Sequence, residues 1–354
     1  MQPNKNQTGE RRGILSGGNW IVDHVKIVDT FPAEETLASI LDQYRGTGGA
    51  PYNVLIDLAK LGAGFPLAGV GLVGDDENGN SIIHDGKQHG IDMSQVHITK
   101  EAPTSFTDVI TVRPTGKRTF FHMRGANGLL NESHFNLTAS RARIFQLGYL
   151  LLLDALDTVS EDGTTGASRL LKQACELGFK TSVDVVSENS DRFAKIVTPT
   201  LPFVDYLIIN EFEASKISGI DVYEAGAINP ARLSEAARAI FTKGVREWVI
   251  IHFAQGGLAR NRAGAEAHIG SVRVPRDKVA GTAGAGDAFA AGALYGLHDG
   301  HDITDCLKMA ACAAASTLFD PTCTGSIRPL QKCLELGAEF GFTTYSRVPM
   351  NQNA

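Results

Sequence analysis

Long apolar runs are missing from this 354-residue chain: none approaches the ~18–20 residues of a membrane span. The longest, around Tyr149–Leu153, reads as a buried strand. Five cysteines (Cys175, Cys306, Cys312, Cys323, Cys333) form no CxxC pair, and their odd number builds no disulfide framework. A reducing cytoplasm is therefore the expected setting. The ten histidines are scattered, with no HExxH and no other metal-ligand spacing. A formal net charge of −6 offers no basic footprint for nucleic acid. The opening "MQPNKNQTGERR" has no apolar stretch of the signal-peptide kind and reads as a frayed tail, 1–12, with a second tail over 346–354. Long linkers, internal repeats and low-complexity segments are absent too. What is present, 43% hydrophobic and 20% charged residues, suits a soluble globular protein with a sizeable core. These exclusions leave an enzyme or a small-molecule binder, with no nucleic-acid or membrane partner.

Short β-branched runs alternate with amphipathic stretches. Strands are predicted at 14–22, 67–73, 107–113, 143–153, 181–186, 206–210, 248–253 and 267–275. Helices are predicted at 51–61, 79–89, 165–177, 229–242, 285–297 and 303–319. From Arg143 onward, fully apolar strands separated by helices describe a parallel sheet covered on both faces. Two segments, near 23–45 and 104–123, instead alternate polar and apolar residues. The second, "TDVITVRPTGKRTFFHM", turns at Pro114–Lys117 and forms a hairpin with one wet face. Such a piece cannot be a central strand of a doubly covered sheet and reads as part of a small β lid. The expectation is one domain over 13–345, carrying that lid.

Late in the chain, "AGTAGAGDAFAAGAL" (280–294) runs from a loop into an alanine-rich, helix-compatible stretch. Gly284, Ala285 and Gly286 would form a tight turn at a helix N-terminus, where unpaired N–H groups and the positive dipole end suit a phosphate. Asp287 then has two readings: a helix cap worth ~1 kcal/mol, or a catalytic carboxylate. A dinucleotide GxGxxG fingerprint fits poorly, because the third glycine position holds Phe289 and no βαβ unit follows.

Four segments in order resemble the ribokinase-like, or PfkB-type, family of carbohydrate kinases. They are "GTGGAPYN" (46–53), "GLVGDDENG" (71–79), "NEFE" (210–213) and "GTAGAGDAFAAGAL" (281–294). The resemblance spans about Gly17 to Gly325. It implies a three-layer α/β/α sandwich with a mainly parallel central sheet, and ATP-dependent phosphorylation of a sugar hydroxyl with Mg²⁺. By that resemblance Asp287 is the general base, and the Gly284-Ala285-Gly286 turn is the anion hole. Asp23, Gly48, Gly49 and Asn53 would hold the sugar. Asn210 and Glu213 would act on the Mg²⁺–ATP side through water, since a hard cation prefers oxygen ligands and keeps several waters; without the family they read as a helix cap and its first-turn acid. Thr282, Gly257 and Cys312 would lie by the nucleotide. Arg118 and Arg124, flanking "TFFHM", either hold substrate or phosphate or are solvated lid arginines.

Departures from the family pattern are local. Gly281 stands where an acid supports a monovalent-cation site in several members, which puts K⁺ dependence in doubt. Ala254 and Cys312 replace a frequent Gly and Asn, and Val186 an Asn after Asp184. Family analogy also suggests a homodimer through the lid. A nucleoside kinase of the same fold, or a sugar-binding protein that has lost catalysis, are the alternatives.

Overall fold

Adjacent residues on the central strands point to opposite faces of the sheet, and this alternation builds the layers. Leu207, Ile209, Val249 and Ile251 pack with the helices Gly166–Glu176, Glu211–Ser218 and Pro230–Phe241. Ile208 and Ile250 pack instead with Ala50–Leu61, Ala285–Asp299 and Ile303–Thr317. Both faces are therefore apolar, as a sheet sandwiched between helices requires.

The computed structural model describes residues 10–344. The predicted tails lie outside that range apart from residues 10–12, of which Arg11 and Arg12 are anchored. Arg11 donates to the carbonyls of Ser140, Ala142 and Leu177 at 2.7–3.1 Å and lies over the Phe179 ring. In chain order the described strands are β1 (Ile14–Gly18), β2 (Ile21–Val28), β3 (Ile40–Gly48), β4 (Leu67–Gly74), β5 (Asp92–Thr99), β6 (Phe106–Val112), β7 (Arg118–Met123) and β8 (Ile144–Leu150). They continue with β9 (Lys180–Val185), β10 (Tyr206–Asn210), β11 (Tyr223–Glu224), β12 (Ala227–Ile228), β13 (Trp248–Phe253), β14 (Gly256–Asn261) and β15 (Glu266–Gly270). Nine of them form one sheet in the order β15-β14-β13-β10-β9-β8-β1-β4-β5. Its pairs are parallel except β13/β14 and β14/β15. A separate four-stranded sheet has the order β3-β2-β6-β7.

The predicted strand 14–22 is in fact two strands in two sheets. Gly18 takes φ +133°, and a Cβ there would lie 1.7 Å from the Gly148 carbonyl, so the chain must turn out of the main sheet at a glycine. Trp20 then anchors the crossing: it is fully buried and donates from Nε1 to the Val70 carbonyl at 3.0 Å. The predicted hairpin is present, β6 and β7 pairing across the turn in which Gly116 donates to the Val112 carbonyl at 2.8 Å. Strand β5 escaped sequence reading because it lies at an edge and mixes exposed with buried residues.

Candidate active site

Strand C-terminal ends in an open α/β sheet are the usual place for a ligand cleft. Here β8, β9, β10 and β13 end on a cleft of about 950 Å³, whose opposite side is one face of the small sheet. Alternation on the small sheet sends Asp23, Thr107, Arg118 and His122 into the cleft, while Lys26 pairs with Asp108 outside it.

Between these two sides lies the N-terminus of the 15-residue helix Ala285–Asp299. Its N-cap is Gly284 at φ +74°, with no side-chain cap. A Cβ at Gly284 would sit 2.3 Å from the Cys323 carbonyl oxygen, so both conformation and space demand glycine. The first N–H groups of this helix have no intrahelical acceptor, and Ala285, Gly286 and Asp287 line the cleft. A side chain at Gly286 would crowd His252, whose Cε1 would lie 3.1 Å from its Cβ.

Asp287 does not cap this helix with its side chain. Its Oδ2 accepts from Asn53 Nδ2 at 2.7 Å, and its Oδ1 accepts from the Tyr149 hydroxyl. Burial raises its pKa to about 6, and these two hydrogen bonds pull the other way. Asn53 is held by its own backbone, N–H to the Gly49 carbonyl at 2.9 Å, one turn into a helix begun by Pro51. Gly49 takes φ +91°, and a Cβ there would meet the Asn19 carbonyl at 2.1 Å. Asp23 is also pushed up to about 6, first by burial and then by the charge of Asp287. Gly48 leaves room for it: a Cβ would come within 2.7 Å of Asp23 Oδ2.

At the other end of the cleft, Asn210 terminates β10 and caps Glu211–Ser218. Glu213 completes a reciprocal capping box, accepting from the Asn210 backbone at 2.8 Å and from Ser187 Oγ at 2.7 Å. Burial raises Glu213 to about 7. Asp184 is held well above the carboxylate range by burial and by the charges of Glu213 and Asp287. The donor set is all oxygen, which suits a hard cation. Among the described residues no group of three or more His, Cys, Asp or Glu could hold a metal directly.

Thr282 lines the cleft and accepts from Arg118 Nη2 at 3.4 Å, and Gly281 lines it as well. Four predicted residues do not reach the wall, among them Gly48, which only makes room for Asp23. Arg124 turns away to donate to the Leu151 carbonyl at 2.8 Å, with Asp154 3.7 Å off. Gly257 pairs with His252 on β14, against the Phe289 ring. Cys312 is fully buried against the helix that carries Gly337. Both stand a layer behind the cleft because their helix and strand are packing surfaces there. Sequence reading did not single out Tyr149 or His252 for the cleft, and met Asp184 only as the acid ahead of Val186 in the family pattern. Asp184 left a signal, a lone charge in an apolar strand; the other two left none.

Residues 12–330 match the pfkB family of carbohydrate kinases, and the chain belongs to that family. Its members phosphorylate carbohydrate hydroxyls, so the protein is a kinase of that class. Fructokinase-1 of Zea mays is 27% identical over 325 residues, covering 87% of this chain and 92% of that protein. The 5-dehydro-2-deoxygluconokinase of Bacillus velezensis is 27% identical over 295 residues, covering 80% and 82%. In structure, Arabidopsis thaliana ribokinase complexed with ribose and ATP superposes with a TM-score of 0.76 at 21% identity, covering 92% of this chain and 98% of that one. Ribokinase of Giardia lamblia gives 0.77 at 19%. These two likenesses establish the fold: a large, mostly parallel sheet between helices with a small separate sheet. Among the described residues no helix is long and apolar enough to cross a membrane.

Proposed function

We propose that the protein transfers the γ-phosphoryl group of ATP to a primary hydroxyl of a sugar, with Asp287 as general base. The observation that carries this is the position of Asp287. It is a buried carboxylate at an uncapped helix N-terminus, between Asp23, Gly48, Gly49 and Asn53 on one side and Asn210 and Glu213 on the other. Phosphoryl transfer asks for alignment, neutralisation of charge and a base at the attacking oxygen. Asp23 accepts hydroxyl hydrogens of the sugar and turns one hydroxyl toward Asp287. Asp287 takes that hydroxyl's proton as the oxygen attacks, an assistance typically worth ~10²–10⁴-fold. The N–H groups of the Gly284-Ala285-Gly286 turn hold the charge of the group in transit. A divalent cation, Mg²⁺ by family, would neutralise phosphate charge when bound, and Asn210 and Glu213, with Asp184 nearby, are the residues that would hold it through water. Thr282 flanks the phosphates. Gly281 contributes no carboxylate, so K⁺ dependence is not part of this reading.

The small sheet acts as a lid that excludes water once the sugar is in place. Its two edge strands expose large apolar side chains, Phe121 at 56% on β7 and Ile40 and Leu41 on β3. We assign these apolar edge strands to contact with a second copy of the chain; a monomer in sedimentation equilibrium would remove that assignment. The activity is tested by ADP release over a panel of ketohexoses, pentoses, sugar acids and nucleosides. Turnover on a sugar or sugar acid supports the reading, and turnover on nucleosides alone overturns the sugar assignment. Silence on all, with sugar binding intact, overturns catalysis.

A further inference from the structure

The base of the proposed reaction is held by a residue that no motif covers. Tyr149 is the penultimate residue of β8 and lines the cleft, and its hydroxyl donates to Asp287 Oδ1 while Asn53 donates to Oδ2 at 2.7 Å. Its backbone is fixed too: the Tyr149 N–H donates to Asn19 Oδ1 at 2.7 Å, and Asn19 N–H donates to the Gly148 carbonyl at 3.0 Å. Asn19 lies between β1 and β2, where the chain passes from the main sheet to the small one. The phenol is therefore aimed at the carboxylate from a rigid support.

We propose that Tyr149 is a positioning residue that, with Asn53, clamps the Asp287 carboxylate and keeps it ionised at neutral pH; this rests on Asp287 being the base. The surroundings work against ionisation. Asp287 is buried, Asp23, Asp184 and Cys323 share the cleft with it, and the buried Asp57 faces it from the helix Ala50–Leu61. A donor on each oxygen stabilises the charged form and fixes the plane of the carboxylate. Tyr149 does not compete as a base, because burial and the neighbouring carboxylates hold its phenol protonated. Two lone-pair positions remain on Asp287 for the hydroxyl of the acceptor. Tyr149 gains and loses no proton in the cycle. It weakens its hold when Asp287 becomes neutral and restores it when the proton leaves.

The test is the pH profile of kcat for Tyr149→Phe, with the acceptor found in the panel and saturating ATP. The expected result is an acidic limb moved upward by about one pH unit. Turnover then falls several-fold near pH 6 and recovers most of its value by pH 8, while KM for the acceptor changes less than about twofold. Replacing Tyr149 by 3-fluorotyrosine, a stronger donor of nearly the same shape, moves the limb the other way, and this also serves if the phenylalanine variant fails to fold. An unmoved limb in either variant, or a loss equal at every pH, overturns the proposal. Asp287→Asn separates the two layers of the argument: if it is inactive while the Tyr149 profiles stay fixed, only the clamp fails; if it is active, the base assignment itself fails.

Discussion

The two sides of the cleft are built on opposite terms. The main-sheet side consists of strand ends and one helix N-terminus, all in the interior, with Asp184, Glu213 and Asp287 buried and their pKa values raised. The small-sheet side consists of alternating strands with one wet face, and Arg118 on it is exposed. Rigid, buried geometry suits the phosphoryl transfer common to all carbohydrate kinases. A half-solvated face suits recognition of one acceptor among many, because it can be altered without disturbing the core. Substitutions on the first side should therefore change turnover or stability, and those on the second the apparent affinity for the sugar.

The sharpest break in that contrast is Gly284→Ala. The added methyl meets the backbone of Cys323 and a left-handed φ, so the turn must shift. Turnover should fall by at least ~10²-fold, with a lower melting temperature, as measured by steady-state kinetics and calorimetry. A variant with normal kcat would show that the turn is not the anion hole. On the other side, Arg118→Ala removes a side chain whose hydrogen bond spans the cleft to Thr282. KM for the acceptor should rise by roughly three- to tenfold, about 1 kcal/mol, while kcat stays within about twofold. A kcat effect larger than the KM effect would place Arg118 in the chemistry instead.

The smallest effect is on stability. Asp184 has a folded-state pKa above its unfolded one, so its contribution is full below the ordinary aspartate value and is lost as pH rises through the raised value. Ligand-free wild type should thus lose stability toward pH 8. Asp184→Asn, which carries no buried charge, should melt above wild type at pH 8 by a few degrees, the gap closing toward pH 5. A gap that widens on acidification would mean Asp184 is stabilised as the anion.

What could be read from the residues follows the same division. The glycine turn before Asp287 and the Asn210–Glu213 capping box are local, so short motifs reveal them. The turn of β6 into β7 was legible for the same reason. The Tyr149–Asp287 and Asn53–Asp287 hydrogen bonds join residues 138 and 234 positions apart, and only topology creates them. Asn53 was expected against the sugar and is found donating to Asp287, because Gly49 sets its helix beside that carboxylate. The split of 14–22 was hidden because both halves are apolar; what separates them is the contact of Gly18 with Gly148, 130 residues later in the chain. Gly257 and Cys312, read as lying by the nucleotide, are found outside the cleft wall, Gly257 against the Phe289 ring and Cys312 buried.

The central claim is the role of Asp287, and one substitution tests it most directly. Asparagine has the shape of aspartate and keeps an oxygen for one of the two donors, but it cannot accept the proton of an attacking hydroxyl. Asp287→Asn, assayed for ADP release with the preferred acceptor and checked by circular dichroism, should fold normally and lose at least ~10²-fold in kcat. A folded variant turning over at the wild-type rate would contradict the account.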